Sequence, residues 1–182
     1  YIATYISGAL GCPVVLYKDV DGIMTADPKI VDTASIIDKI NYEETLELAH
    51  LGTKVINEKA VIPSMKAQIP ITITNFWKLG RGTVISKEGE AKAITHVSDV
   101  IKVNVSSSSG NMDVISSLLS ELSALDVNPL LISKASHSGF SFVVKKDEAH
   151  LIQRSILKTD QKADIEIETG ISLVAAIGNK VK

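Results

Sequence analysis

The segment KDVDGIMTADPKIV, residues 18–31, gathers Lys18, Asp19, Asp21, Asp27 and Lys29 around Gly22 and an Asp27-Pro28 step, directly behind the apolar run PVVLY. Carboxylates and amines at this density could bind a metal or a polar ligand, or could shape a turn. A metal is disfavoured, because the segment holds no His or Cys and its carboxylates lack the acidic twelfth position of a calcium loop. His50, His96, His137 and His150 likewise show no ligand spacing, so no metal site is expected. Asp, Gly and Pro also punctuate loops for purely local reasons. Any chemistry of the loop must therefore come from its place in a fold.

PVVLY, residues 13–17, is a short unalternating apolar run, which predicts a strand buried on both faces of a parallel sheet, preceded by a helix. The loop then leaves the carboxyl end of that strand, the edge at which open α/β sheets bind ligands. Asn41 and Glu44 have capping-box spacing ahead of a helix carrying Leu46, Leu48 and Ala49 and stopping at Gly52. A second helix is expected from near Lys54, interrupted or restarted at Pro63, which suits a first-turn position, and ending before Ile69-Pro70. ITITN, residues 71–75, alternates with period two and should point Ile71 and Ile73 inward. FWKLGRGTVIS adds a turn and a short strand, with Trp77 read first as closing the base of this half and second as a stacking residue.

From about residue 97 the pattern reads strand, helix, strand, strand, helix, strand, the βαββαβ order of ferredoxin-like domains. Ile115, Leu118, Leu119, Leu122 and Leu125 recur at helical spacing and predict one buried stripe. SSSSG, residues 106–110, reads first as a loop and second as an anion cradle. ISLVAAIG follows a completed unit, so it should open a second one.

The composition is that of an ordinary globular protein, with 45% hydrophobic and 22% charged residues, and the formal charge of −2 comes from scattered residues. No basic footprint marks a nucleic acid or anionic membrane partner, and 4% aromatic residues are too few for base-stacking tracts. The single Cys12 excludes an internal disulfide, suits a reducing compartment and reads as a small buried side chain. No apolar run approaches the ~18 residues of a membrane span, and no signal peptide is visible, so the cytoplasm is the expected location. The first residues read as the middle of a helix, so a piece of a longer protein is expected.

The order KDVDGIMTADPKIV, INYEETLELAHLGTKVINEKAVIPSMKAQIPITITN, RGTVIS and a unit containing FSFVV resembles the aspartate kinases. The resemblance implies an α/β fold: a partial amino-acid-kinase-like, parallel-rich sheet at 1–92, a ferredoxin-like ACT domain at 93–170, and the first strand of a truncated second ACT domain at 171–182. It implies ATP with Mg2+, L-aspartate as phosphoryl acceptor, and an oligomer of identical chains assembled through ACT domains. By matching positions, Lys18 and Asp19 border the adenosine, Met24 lies beside the adenine, and Lys29 and Lys54 meet phosphates. Gly22 lets the loop approach a ligand closely, and Asp27-Pro28 makes an extended corner aiming Lys29 at the site. The family's Lys-Phe-Gly-Gly motif and aspartate-binding residues do not occur in these 182 residues, so no catalytic residue is assigned and the chain alone is expected to be inactive.

For the second half the resemblance implies an amino-acid effector, lysine or threonine, at SSGNMDVI and NPLLIS. Ser108, Asn111, Val114, Ile115, Pro129 and Leu130 are the lining candidates, and amides at the helix start from Asn111 would hold the effector carboxylate. Leu130 stands where lysine-sensitive relatives carry Asp. Two other readings remain open at this point: a bifunctional protein with a homoserine dehydrogenase, and a non-catalytic amino-acid-binding subunit.

Overall fold

A computed structural model describes residues 1–78, 80–106, 112–133, 139–152, 155 and 164–178. Contacts divide the chain into two compact units, Tyr1–His96 with Val174–Lys182, and Val97–Leu173. The division falls four residues after the expected boundary at 92, and residues from Val174 group with the first unit.

The first unit holds helices α1 (Ile2–Leu10), α2 (Tyr42–His50) and α3 (Glu58–Ala67), with strands β1 (Val14–Lys18), β2 (Lys39–Asn41), β3 (Ile71–Asn75) and β4 (Gly82–Ser86). The sheet order is β1-β3-β4-β2, with β1/β3 and β2/β4 parallel and β3/β4 antiparallel. Ile71 and Ile73 are fully buried as their alternation requires, in a core with Ile40, Val61 and Ile85. The Asn41 capping box is present: its side chain accepts from Glu44 N at 2.8 Å, and the Glu44 carboxylate accepts from Asn41 N at 3.4 Å.

Four expectations for this unit are corrected. β1 is not covered on both faces: it is the edge strand, and Val15 and Tyr17 on its outer face are 47% and 56% exposed. α3 starts at Glu58, not near Lys54, because Asn57 caps it by accepting from Lys59 N at 2.9 Å; Pro63 consequently falls inside the helix. Cys12 and Trp77 are exposed, so neither is a core side chain.

The second unit contains most of β5 (Ala93–Ser106), then α4 (Met112–Ala124), β6 (Leu131–Ser133), β7 (Gly139–Lys145), a 3-10 turn at Lys146–Glu148 continued by helical residues 149–152, and most of β8 (Asp164–Ile177). The sheet order β6-β7-β5-β8 is that of a ferredoxin-like unit, with β7 antiparallel to both β5 and β6. Ile101, Val103 and Val105 of β5 face the same side as Phe140, Phe142 and Val144 of β7, and pack with Leu118, Leu122 and Ile152. Leu125 is 40% exposed, so the buried stripe of α4 ends before it. ISLVAAIG does not start a separate strand: β8 runs on through Gly170 to Ile177, which is buried in the core of the first unit.

Candidate functional site

The site is built where parallel strands β1 and β3 end side by side, with Lys18 opposite Asn75. Phe76 N donates to Lys18 O at 2.8 Å, closing this edge. Asn75 is buried, and its amide does two jobs there. Nδ2 donates to Asp21 Oδ1 at 2.6 Å, while Oδ1 accepts from Trp77 N at 2.7 Å and Lys78 N at 3.2 Å. One side chain thus organises both the loop after β1 and the turn after β3.

The loop is held from within the unit. Ile23 N donates to Thr83 Oγ1 at 2.8 Å, and Ile37 N to Ile23 O at 2.8 Å. Met24, half-buried, pairs with Ile36 in a β-bridge, and Thr25 and Ser35 exchange bonds at 2.9 and 3.0 Å. Gly22 has φ 153°, and a Cβ there would lie 2.6 Å from Thr83 Oγ1. The glycine therefore serves packing against β4. Asp27 Oδ1 accepts from Lys29 N at 2.9 Å and its carbonyl from Ile30 and Val31 N at 3.0 and 2.9 Å, so a side-chain-capped turn follows the Asp27-Pro28 step.

Lys18 is half-buried at the strand end, Asp19 and Lys29 are exposed, and Lys54 is exposed in the bend between α2 and α3. Among the described residues none of these four charged side chains makes a hydrogen bond or ion pair, so each is free to meet a ligand. Lys18, Asp19, Met24 and Lys29 share one strand end and its loop; no bond links Lys54 to them. Nor do the described residues include a group of three or more His, Cys, Asp or Glu that could hold a metal ion.

Of the effector candidates, Ser108 and Asn111 lie outside the described residues, as does the Val114 side chain, although Val114 falls within α4. Ile115 is half-buried against the second core, while Pro129 and Leu130 are half-buried ahead of β6. Leu130 N donates to Val143 O at 2.8 Å, so that amide is already used by the sheet. On β5 and β8, Lys102 Nζ meets Glu168 Oε1 at 2.9 Å, and Asn104 Nδ2 reaches Glu168 and Glu166 at 3.0 and 3.3 Å. These bonds hold the Glu168 carboxyl below its ordinary range. Asn75 and Thr83 were missed by sequence reasoning; the only signal for Asn75 was an Asn ending an alternating strand before a turn.

Residues 1–75 match the model of the amino acid kinase family. Along nearly its whole length the chain is similar to aspartate kinases. It is 31% identical over 185 residues to a chloroplastic bifunctional aspartokinase/homoserine dehydrogenase 2 of Zea mays, covering 91% of this chain and 20% of that protein. It is 28% identical over 177 residues to an aspartate kinase of Pseudomonas fluorescens, covering 90% of this chain and 43% of that protein. The crystal structure of E. coli aspartokinase III in complex with aspartate and ADP superposes with a TM-score of 0.84 and 25% identity, over 100% of this chain and 43% of that one. The chain thus spans well under half the length of each of these proteins. The α/β fold with a parallel-rich kinase-like sheet and a ferredoxin-like unit agrees with that superposition.

Proposed function

We propose that this chain is the nucleotide-binding and regulatory part of an aspartate kinase, which transfers the γ-phosphoryl group of MgATP to the β-carboxylate of L-aspartate, ahead of lysine, threonine and methionine synthesis. The observation that carries this reading is the likeness, over 100% of the chain, to an aspartokinase crystallised with aspartate and ADP. In-line phosphoryl transfer asks a protein mainly for positioning and positive charge around the transferred group. Lys18, Lys29 and Lys54 would supply that charge, with Asp19 accepting from ribose or base and Met24 flanking the adenine. Catalytic groups for aspartate would come from elsewhere in the whole enzyme, so this chain by itself binds nucleotide without turnover.

In the same reading the ferredoxin-like unit is an ACT domain that takes lysine or threonine near Ile115, Pro129 and Leu130 and joins identical chains in a cytoplasmic oligomer. The test has two arms. Equilibrium dialysis of the 182-residue chain with MgATP should show binding that weakens in Lys18→Ala and Lys54→Ala. The whole enzyme should form aspartyl hydroxamate from aspartate, MgATP and hydroxylamine, suppressed by one of the two amino acids. A folded whole enzyme that makes no hydroxamate would sink the assignment. The identity to the maize bifunctional protein favours a second reading, the same activity joined to a homoserine dehydrogenase, which NADPH-dependent reduction of aspartate semialdehyde would reveal.

A further inference from the structure

We propose that the aromatic turn following β3 is the base-binding face of the nucleotide site, with a purine ring stacked on the indole of Trp77. The inference rests on the nucleotide reading above and adds to it a residue outside the loop 18–31.

Tyr17, Phe76 and Trp77 form a run of edge-to-face rings, with centroids 6.3 Å apart at 87° and 5.0 Å apart at 85°. All three are exposed, at 56%, 57% and 82%, an unusual state for side chains whose apolar area normally drives burial. The turn is nonetheless fixed in place. The buried Asn75 Oδ1 accepts from Trp77 N, and Phe76 N is bonded to Lys18 O, so the platform is organised before anything binds it. It stands at the carboxyl ends of the parallel pair β1/β3, where α/β sheets take their ligands.

Its surroundings select the occupant. Lys18, Asp19 and Lys78 border the turn, and among the described residues their side chains have no ionic or hydrogen-bond partner. An apolar protein surface laid over the rings would strip water from these charges and return nothing. A nucleotide matches them instead: phosphates for the lysines, ribose hydroxyls or an exocyclic amine for the carboxylate, and a flat π-face for the indole.

Trp77 is the single tryptophan of the chain, so its emission reads out the contact directly. The experiment titrates the chain with MgATP, MgADP and inorganic tripolyphosphate, following fluorescence and, in parallel, equilibrium dialysis. The two nucleotides should quench or shift the emission at the midpoint found by dialysis, and tripolyphosphate should not. Trp77→Ala should weaken MgATP binding by about tenfold while Trp77→Phe keeps most of it. Nucleotide binding with unchanged emission and an unaffected Trp77→Ala would overturn the stacking role and leave the nucleotide site standing. Absence of any binding by dialysis would overturn both. A changed sedimentation behaviour of Trp77→Ala with unaltered nucleotide affinity would make the rings a contact between copies and end the proposal.

Discussion

Asn75 Nδ2 donates to Asp21 Oδ1 at 2.6 Å across 54 residues of sequence, tying the turn after β3 to the loop after β1. Asn75→Ala removes this bond and the acceptor for two turn amides, and should destabilise the first unit by about 1–3 kcal/mol in urea unfolding. Asn75→Asp keeps the acceptor but sets a carboxylate against Asp21, which disfavours ionisation of both. Adding Asp21→Asn should restore most of the loss at neutral pH, because donor and acceptor are then exchanged. A double variant no more stable than Asn75→Asp would show that the bond is not what holds the loop.

Gly22→Ala forces a Cβ to within 2.6 Å of Thr83 Oγ1 at a backbone angle that side chains rarely adopt. Unfolding should report a loss of about 2–4 kcal/mol. Combining it with Thr83→Ala should recover only part, since Thr83 N would still lie 3.2 Å from the new carbon. A neutral Gly22→Ala would mean that the loop does not pack on β4.

Glu44 is buried, and its Oε2 accepts from Ala91 N at 3.1 Å as well as closing the α2 cap. Glu44→Ala should remove about 2 kcal/mol, the cap and the orphaned buried amide together. Hydrogen exchange at the Ala91 amide should quicken in the same variant, whereas Glu44→Gln retains an acceptor and should shift both readings less.

The Glu168 carboxyl is held below its ordinary 4.5 by bonds from Lys102 and Asn104. A depressed carboxylate stabilises the fold at neutral pH, and the contribution fades as pH falls through the lowered value. Lys102→Met should therefore reduce the acid sensitivity of unfolding below about pH 4.5 and leave the alkaline side unchanged. Parallel acid limbs for the two proteins would count against the pairing. Because both side chains are exposed, added salt should diminish the difference.

Much of the frame was legible because it is locally encoded. The Asn41–Glu44 box spans one turn, ITITN shows its inward face by alternation, and the stripe on α4 recurs at helical spacing. The kinase-like loop was legible as a segment, and among the described residues its charged candidates Lys18, Asp19 and Lys29 make no side-chain hydrogen bond or ion pair. What misled was context. PVVLY has the composition of a doubly covered strand, yet β1 lies at the sheet edge in this chain. The helix expected from near Lys54 begins later, at Glu58, under the Asn57 cap, and runs through Pro63 instead of being interrupted or restarted there.

By itself the sequence determined the element types, the βαββαβ order and the likeness to aspartate kinases, since period, caps and motif order act over a few residues at a time. Only the tertiary structure decided that Gly22 exists for Thr83, that Asn75 governs Asp21, and that Tyr17, Phe76 and Trp77 meet beside Lys18. Those relations depend on strands brought into register from about 60 residues apart, as with Ile23 and Thr83. Chain folding, not local propensity, sets such pairings, so no window of sequence contains them.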